Sequence, residues 1–174
     1  MSSECRKALE VFRDRDFGAW RGLPADCDWE SVKAVMPPVV DAEAFGWLGE
    51  SLPRRFRLVQ AEGYPMHVRV WFDGPRIVAL ETELPRLHRP LAGTIAGWGA
   101  PDARLDYPFD VVKIEQGELV YAAHGFAAAV NPENQVTLRI VVFPPTTLER
   151  YLAEIRPPSG TREHPEYPCE RKTR

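Results

Sequence analysis

A strand-turn-strand pattern occurs twice in this sequence, and it limits the possible folds more than any other feature. The first copy spans Met66–Leu84 around Asp73-Gly74-Pro75, and the second spans Gly125–Phe143 around Asn131-Pro132-Glu133-Asn134. Alternating apolar residues on both sides of such turns are typical of β-hairpins. Each hairpin follows a helical stretch at a distance, which indicates a helix-then-meander unit used twice. The predicted fold class is α+β: one antiparallel sheet of about seven strands from two helix-plus-meander repeats, with helices packed on one face.

The division of the chain follows from these repeats. We expect an amino-terminal helix and ordered loop in residues 1–27, a first repeat in 28–88, and a second repeat with a carboxy-terminal helix in 89–156. A length of 174 residues is ordinary for one compact domain. Residues 157–174 are rich in proline and charge without an apolar period, so a mobile tail is predicted there.

Start and stop signals predict the early helices. Ser3–Arg13 places apolar residues at loosely helical spacing. Asp28 has the form of an N-cap, and Pro37-Pro38 stops the helix that it begins. Asp41–Leu48 is predicted to begin a further helix, with Phe45 and Leu48 facing the core.

The carboxy-terminal part of the second repeat carries two further signals. Gln135–Phe143 is long and apolar, which favours a central strand. Thr146 and Glu149 then have the spacing of a capping box. The helix that follows is predicted to bury Leu148, Tyr151, Leu152 and Ile155.

Alternation in the first hairpin predicts both a register and a polar sheet face. If Phe72 opposes Val78, one face of the hairpin is apolar. Arg69 then lies opposite Glu81 on the other face, as in a solvated cross-strand pair. An aromatic anchor among arginines and carboxylates is typical of a protein-binding surface, although the tryptophan could instead cover a neighbouring loop. The predicted partner-binding residues are His67, Arg69, Trp71, Glu81, Glu83 and Arg139.

A catalytic or ligand-binding interpretation uses a different set of groups. It places a pocket between the sheet and the loop Phe17–Pro24, with His67, Glu83 and His124 as its polar side chains. Gly97-Trp98-Gly99 lacks the strand and helix of a dinucleotide fingerprint, and the four histidines lack metal-ligand spacing. We therefore expect neither a cofactor nor a metal, and no catalytic residues.

Charge and composition argue against several classes of protein. A net charge of −3 and a pI of about 5.8 disfavour nucleic-acid binding. No apolar run is long enough to span a membrane, and the amino terminus has no apolar signal region, so a cytoplasmic location is expected. Cys5, Cys27 and Cys169 lack paired spacing and are predicted to be free thiols. A homodimer through the polar sheet face is a further possibility.

The tandem arrangement carries a family resemblance. Gly99-Ala100-Pro101 ends a helical segment before a meander, and the units repeat at about 60 residues, judged from Phe72 to Val130. This pattern resembles the β-lactamase inhibitor proteins and is similar to the single-repeat small lipoproteins of outer-membrane β-barrel assembly. The resemblance covers Gly22–Ile155 and implies a saddle-shaped sheet that binds another protein on its concave face. Since the first helix ends in Pro37-Pro38 instead of Gly-x-Pro, β-lactamase inhibition itself is not transferred.

These observations together predict a non-enzymatic protein-binding module. The most concrete version is an immunity- or inhibitor-type protein that occludes a partner protein through its open sheet face. The alternative is a small-molecule-binding or enzymatic domain built on the pocket described above.

Overall fold

The computed structural model describes residues 1–46, 48, 54–61, 67–106, 117–131 and 133–156. The helices in these ranges are α1 (Ser3–Asp14), α2 (Trp29–Val35), α3 (Leu91–Thr94) and α4 (Leu148–Arg150). One π-helical segment, Tyr151–Ile155, continues α4, and the two together are called the carboxy-terminal helix. The strands are β1 (Pro38–Gly46), β2 (Arg54–Ala61), β3 (Val68–Asp73), β4 (Arg76–Glu83), β5 (Ala103–Asp106), β6 (Gly117–Tyr121), β7 (Phe126–Val130) and β8 (Thr137–Val142).

These eight strands form one antiparallel sheet in the order β1-β2-β3-β4-β8-β7-β6-β5. The predicted antiparallel sheet and the central position of β8 are confirmed. Strands β1 and β5 were not predicted, so the described sheet has eight strands in place of about seven. The strand predicted at Phe109–Ile114 lies outside the described residues, as does the predicted tail at 157–174. The relation of the two halves as repeats stays a prediction.

The register of the first hairpin is confirmed along most of its length. Arg69 pairs with Glu81 and Val70 with Leu80. The expected pairing of Phe72 with Val78 is wrong, because an irregularity after Trp71 brings Phe72 opposite Ile77. As neighbours on one strand, Trp71 and Phe72 point to opposite faces of the sheet, and each enters an apolar core.

The predicted helix beginning at Asp41 is wrong, because this segment is strand β1. Alanine and glutamate favour a helix in isolation. In the folded chain, β1 pairs with β2, where Arg57 donates to Asp41 at 2.6 Å and to Glu43 at 3.3 Å. These long-range contacts outweigh the local preference. Phe45 is exposed instead of facing the core, whereas Leu48 is buried, as predicted.

Each face of the sheet carries its own apolar core. The first face presents Val70, Leu80 and Ile140 to α1, α2 and the loop around Phe17. The second face presents Trp71, Ala79, Val141 and other residues to the carboxy-terminal helix. The prediction of helices on one face is thus wrong, because strands that are apolar on both sides need cover on both sides.

The predicted helix caps and the buried residues of the carboxy-terminal helix agree with the structure, apart from small differences. Asp28 caps α2 by accepting from the backbone N–H of Ser31 at 2.8 Å, as predicted. The cap of α4 is Thr147 in place of the predicted Thr146. Tyr151 and Ile155 are buried, as predicted, whereas Leu152 is exposed.

The amino-terminal segment is fixed by aromatic packing and by a disulfide. Phe17 and Trp20 are fully buried, and Trp20 Nε1 donates to the backbone oxygen of His124 at 2.8 Å. Cys5 and Cys27 form a disulfide across a sequence separation of 22, so the prediction of free thiols is wrong for these two residues. Sequence spacing gave no sign of this pair, because packing of α1 beside α2 brings them together. Across the described ranges, the helices are all too short or too polar to cross a membrane.

Candidate partner-binding site

Five of the six predicted partner-binding residues form one network of ion pairs and hydrogen bonds across three adjacent strands. Arg69 of β3 donates to Glu81 of β4 at 3.0 Å and to Glu83 at 2.7 Å. Arg139 of β8 donates from Nε to Glu81 at 2.8 Å. Trp71 Nε1 completes the arrangement by donating to the second carboxylate oxygen of Glu81 at 2.8 Å. The sheet register therefore brings five of the six predicted residues together.

Half of this predicted set is buried, so the expectation of an open, solvated face is wrong for that half. Trp71, Glu81 and Arg139 are only 3%, 5% and 4% exposed. The ring of Phe56 lies 4.7 Å from that of Trp71, and both belong to the second core. The other three residues, His67, Arg69 and Glu83, are exposed or half-buried at the margin of the network. Their role in partner binding stays a prediction.

The electrostatics of Glu81 show how the sheet tolerates a buried carboxylate. Burial alone would raise its pKa, but Arg139 and Arg69 attract the ionised form and Arg139 and Trp71 donate hydrogen bonds to it. The result is a pKa lowered from 4.5 to about 2. Glu81 is thus ionised at neutral pH and satisfied by its neighbours, as expected of a structural charge.

A second buried carboxylate fastens the carboxy-terminal helix to the second face. Glu118 of β6 accepts from the hydroxyl of Tyr151 and, at 2.8 Å, from Nε of Arg156. Burial and the neighbouring Glu118 charge raise the pKa of Tyr151 well above its ordinary value. Sequence reasoning missed this group, and the available signal was a glutamate within the apolar strand sequence of β6.

The polar groups of the alternative pocket do not converge. His124 stacks on Trp98 at 4.7 Å between ring centroids, and Trp98 also contacts Phe126 of the first core. Glu83 instead bonds Arg69 on the second face. The loop Phe17–Pro24 packs into the first core with its aromatic rings. Among the residues with assigned positions, no three His, Cys, Asp or Glu side chains form a metal-binding group.

The most exposed apolar residues lie on the edge strand β1. Val39, Val40 and Phe45 are 62%, 44% and 59% exposed. Of the described strands, only β2 pairs with β1, which stands at one end of the sheet order over nine residues. A long edge strand presents unpaired backbone N–H and C=O groups to any chain that can lie beside it.

The charges beside β1 are arranged in rows. Arg57 lies over the ring of Trp29 at 4.7 Å and Arg55 over that of Phe72 at 4.8 Å, which holds both guanidinium groups on β2. The carboxylates of Asp41 and Glu43 lie on β1, outside these arginines. The outer edge of this part of the sheet is consequently acidic.

The structure thus contains two candidate regions for partner binding. One is the largely buried network in the middle of the second face, and the other is the exposed edge strand β1. The exposed edge was not predicted from the sequence, because the segment was interpreted as a helix. No protein-family model, curated protein or solved structure matches this chain.

Proposed function

We propose that this protein is a non-enzymatic protein-binding module that docks a partner protein along β1 and the adjoining exposed part of the second face. The observation that carries the proposal is the nine-residue edge strand with three exposed, large apolar side chains. Edge strands of this kind bind partners by adding a further strand to the sheet, with main-chain hydrogen bonds for affinity and side chains for specificity.

The exposed margin of the predicted network extends this surface. Ala42 of β1 pairs with Leu58 of β2, and Leu58 pairs with Arg69 of β3. A row of accessible side chains therefore runs from the edge to the arginine that holds Glu83. A partner bound at β1 can reach this row, which retains part of the site predicted from the sequence.

The most concrete form of the function is that of an immunity- or inhibitor-type protein. Strand addition would fix the partner's orientation, and the body of the sheet would then occlude the partner's own functional site. Charges at the margin, such as Arg69 and Glu83, would contribute to specificity and to the association rate. The separation of His124 from Glu83 favours this function over an enzyme built on those groups.

Affinity capture followed by reconstitution tests the proposal. The wild-type protein, the edge variant Val40→Lys/Phe45→Lys and the control variant Leu84→Lys are immobilised and exposed to lysate of the native host. Leu84 is as exposed as the edge residues but lies beyond the end of β4. Equal thermal unfolding curves establish that all three proteins are folded.

We expect one stoichiometric protein on wild type and control, and its loss from the edge variant. Calorimetry with the purified partner is then expected to show affinity weakened at least about tenfold for the edge variant only. Equal affinity for the edge variant and wild type, or failure of the purified protein to bind wild type, would overturn the proposal.

A further inference from the structure

The two faces of β1 differ in chemistry. Asp41 and Glu43 pair with Val59 and Arg57 of β2, whereas Ala42 and Ala44 pair with Leu58 and Phe56. Because side chains alternate along a strand, the acidic residues point to the first face and the alanines to the second. A strand added beside β1 would meet Asp41, Glu43 and, at the end of the strand, the exposed Phe45 on one of its faces. On the other face it would meet Ala42 and Ala44, with the exposed Val40 beside them.

The acidic face sets the charge of the added strand. Arg57 already donates to Asp41 and Glu43 from the β2 side, at 2.6 Å and 3.3 Å. The order from β2 outward is therefore basic and then acidic. Basic side chains on the added strand would continue the alternation, whereas acidic ones would lie directly opposite carboxylates, which is unfavourable.

The small residues set the size of the side chains on the other face. Ala42 is exposed, and Ala44 is half-buried against the margin of the second core. Leu58, which pairs with Ala42 on β2, is half-buried. A bulky apolar side chain from the added strand would fill the space above the alanines and bury this apolar row.

A second copy of this chain is a poor occupant of the same edge. Antiparallel self-pairing centred on Ala42 would bring Asp41 of one copy opposite Glu43 of the other. The same register would bring Phe45 of one copy near Val39 of the other, so the like charges of Asp41 and Glu43, and not a lack of apolar contact, oppose self-pairing. Like charges on an edge strand act against such self-association and leave the edge to a different partner.

We infer that the partner docks on β1 through an extended segment in which basic residues alternate with bulky apolar residues. This inference rests on the proposed function, because it names the chemistry of the partner at that same edge. The basic residues face Asp41 and Glu43, and the bulky residues lie over Ala42 and Ala44.

Titration with defined peptides tests the inference without knowledge of the natural partner. The probes are a peptide of alternating Lys and Ile, its Glu and Ile counterpart, and a Lys and Ile peptide of scrambled order, each nine residues long like β1. Amide chemical shifts of the full-length protein report binding up to about 1 mM peptide. We expect shifts centred on β1 and about tenfold tighter binding of the alternating basic peptide than of either other probe.

Charge variants distinguish recognition of the peptide by β1 from attraction of the peptide by the net charge of the protein. Asp41→Asn/Glu43→Gln is expected to remove the preference for the basic over the acidic peptide, and Asp41→Lys/Glu43→Lys to reverse it. Asp73→Lys/Glu133→Lys changes the net charge equally at exposed acids on the hairpin turns and is expected to leave the preference unchanged. Raising the salt concentration is expected to reduce the preference in the wild type.

Three results would overturn the inference. They are equal or tighter binding of the acidic peptide, no binding of the basic peptide at about 1 mM, and a dimer in sedimentation that Val40→Lys/Phe45→Lys dissociates. If the captured protein still binds wild type and is lost from the edge variant, only the inferred chemistry of the partner fails. If that protein binds both equally, the proposed function fails as well.

Discussion

At the scale of single residues, Glu81 shows how much a buried charge depends on its neighbours. Its carboxylate receives hydrogen bonds from Arg69, Arg139 and Trp71. Such a group adds little net stability relative to an apolar residue, but removing it breaks the buried ion pair that Glu81 forms with Arg139. The network therefore links side chains of three adjacent strands at one register.

We predict that Glu81→Gln lowers the free energy of unfolding at pH 7 by about 3 kcal/mol, since it breaks a buried ion pair. Urea denaturation monitored by tryptophan fluorescence measures this difference. Glu83→Gln is the matched control, because its carboxylate is half exposed on the same strand, and we expect a loss below about 1 kcal/mol. Equal losses in the two variants would contradict a special role for Glu81.

The lowered pKa of Glu81 predicts a pH dependence with a definite sign. Its folded-state pKa is about 2, against an ordinary value of 4.5. The unfolded chain therefore binds the proton first as the pH falls, and the contribution to stability is fully present above pH 4.5 and is lost between 4.5 and about 2. We expect the difference between wild type and Glu81→Gln to shrink across this window. A difference that stays constant down to pH 2 would contradict the assignment.

An added side chain would strain the backbone at both Gly74 and Gly125, but it would also clash with neighbouring atoms at Gly125. Both have positive φ, at 62° and 58°. A Cβ at Gly125 would overlap the backbone oxygen of Phe143, whereas a Cβ at Gly74 meets open space. We predict that Gly74→Ala costs about 1 kcal/mol from backbone strain, and that Gly125→Ala costs several kcal/mol more. Thermal unfolding of both variants checks this, and similar costs would contradict a close approach at Gly125.

At the scale of elements, the carboxy-terminal helix belongs to the second core. Tyr151 is fully buried, stacks on Phe143 at 5.0 Å and donates to Glu118. We predict that Tyr151→Phe costs about 1–3 kcal/mol, because Glu118 loses a buried donor while the ring packing is retained. Leu152→Ala, on the exposed side of the same helix, is expected to cost less than 1 kcal/mol. Chemical denaturation of both variants measures the contrast, and a larger loss for Leu152→Ala would reverse our assignment of the buried side.

Elements with local signals could be predicted from the sequence, and elements defined by distant pairing could not. Asp28 accepts its capping hydrogen bond from Ser31, only three residues away, and the turn residues at Gly74 lie between the two strands that they join. In contrast, β1 exists because β2 supplies hydrogen bonds and arginines, and no local window contains that information. The same reason explains the candidate site: alternation placed Arg69 opposite Glu81, but only tertiary packing buries Trp71 beneath neighbouring groups.

At the scale of the whole molecule, helices pack on both faces of the sheet, so the accessible candidate site lies at the edge of the sheet and not in its middle. The first face is covered by the amino-terminal helices, and the carboxy-terminal helix packs on the second. The partly open region of the second face lies towards β1, where Leu58 and Arg69 remain accessible. Because helices cover the rest of both faces, the surface left for a partner combines the edge strand β1 with the adjoining part of the second face.

The Cys5–Cys27 disulfide gives a prediction about the whole chain. It joins α1 to the residue before the cap of α2, and closing a loop of this length, with a sequence separation of 22, is expected to stabilise the fold by about 3 kcal/mol. The chain has three cysteines, so a thiol assay in denaturant without reductant is expected to find one reactive thiol per molecule. Reduction is expected to expose three and to lower the unfolding temperature.

Cys169→Ser is the matched control, because it removes the remaining thiol and is expected to leave the unfolding temperature unchanged. Three reactive thiols in the non-reduced protein would contradict the disulfide. Disulfides persist in oxidising compartments and are rare in the cytosol. Trapping the thiol state by alkylation in the native host therefore also tests the predicted cytoplasmic location, since an intact Cys5–Cys27 bond there would argue for an oxidising compartment instead.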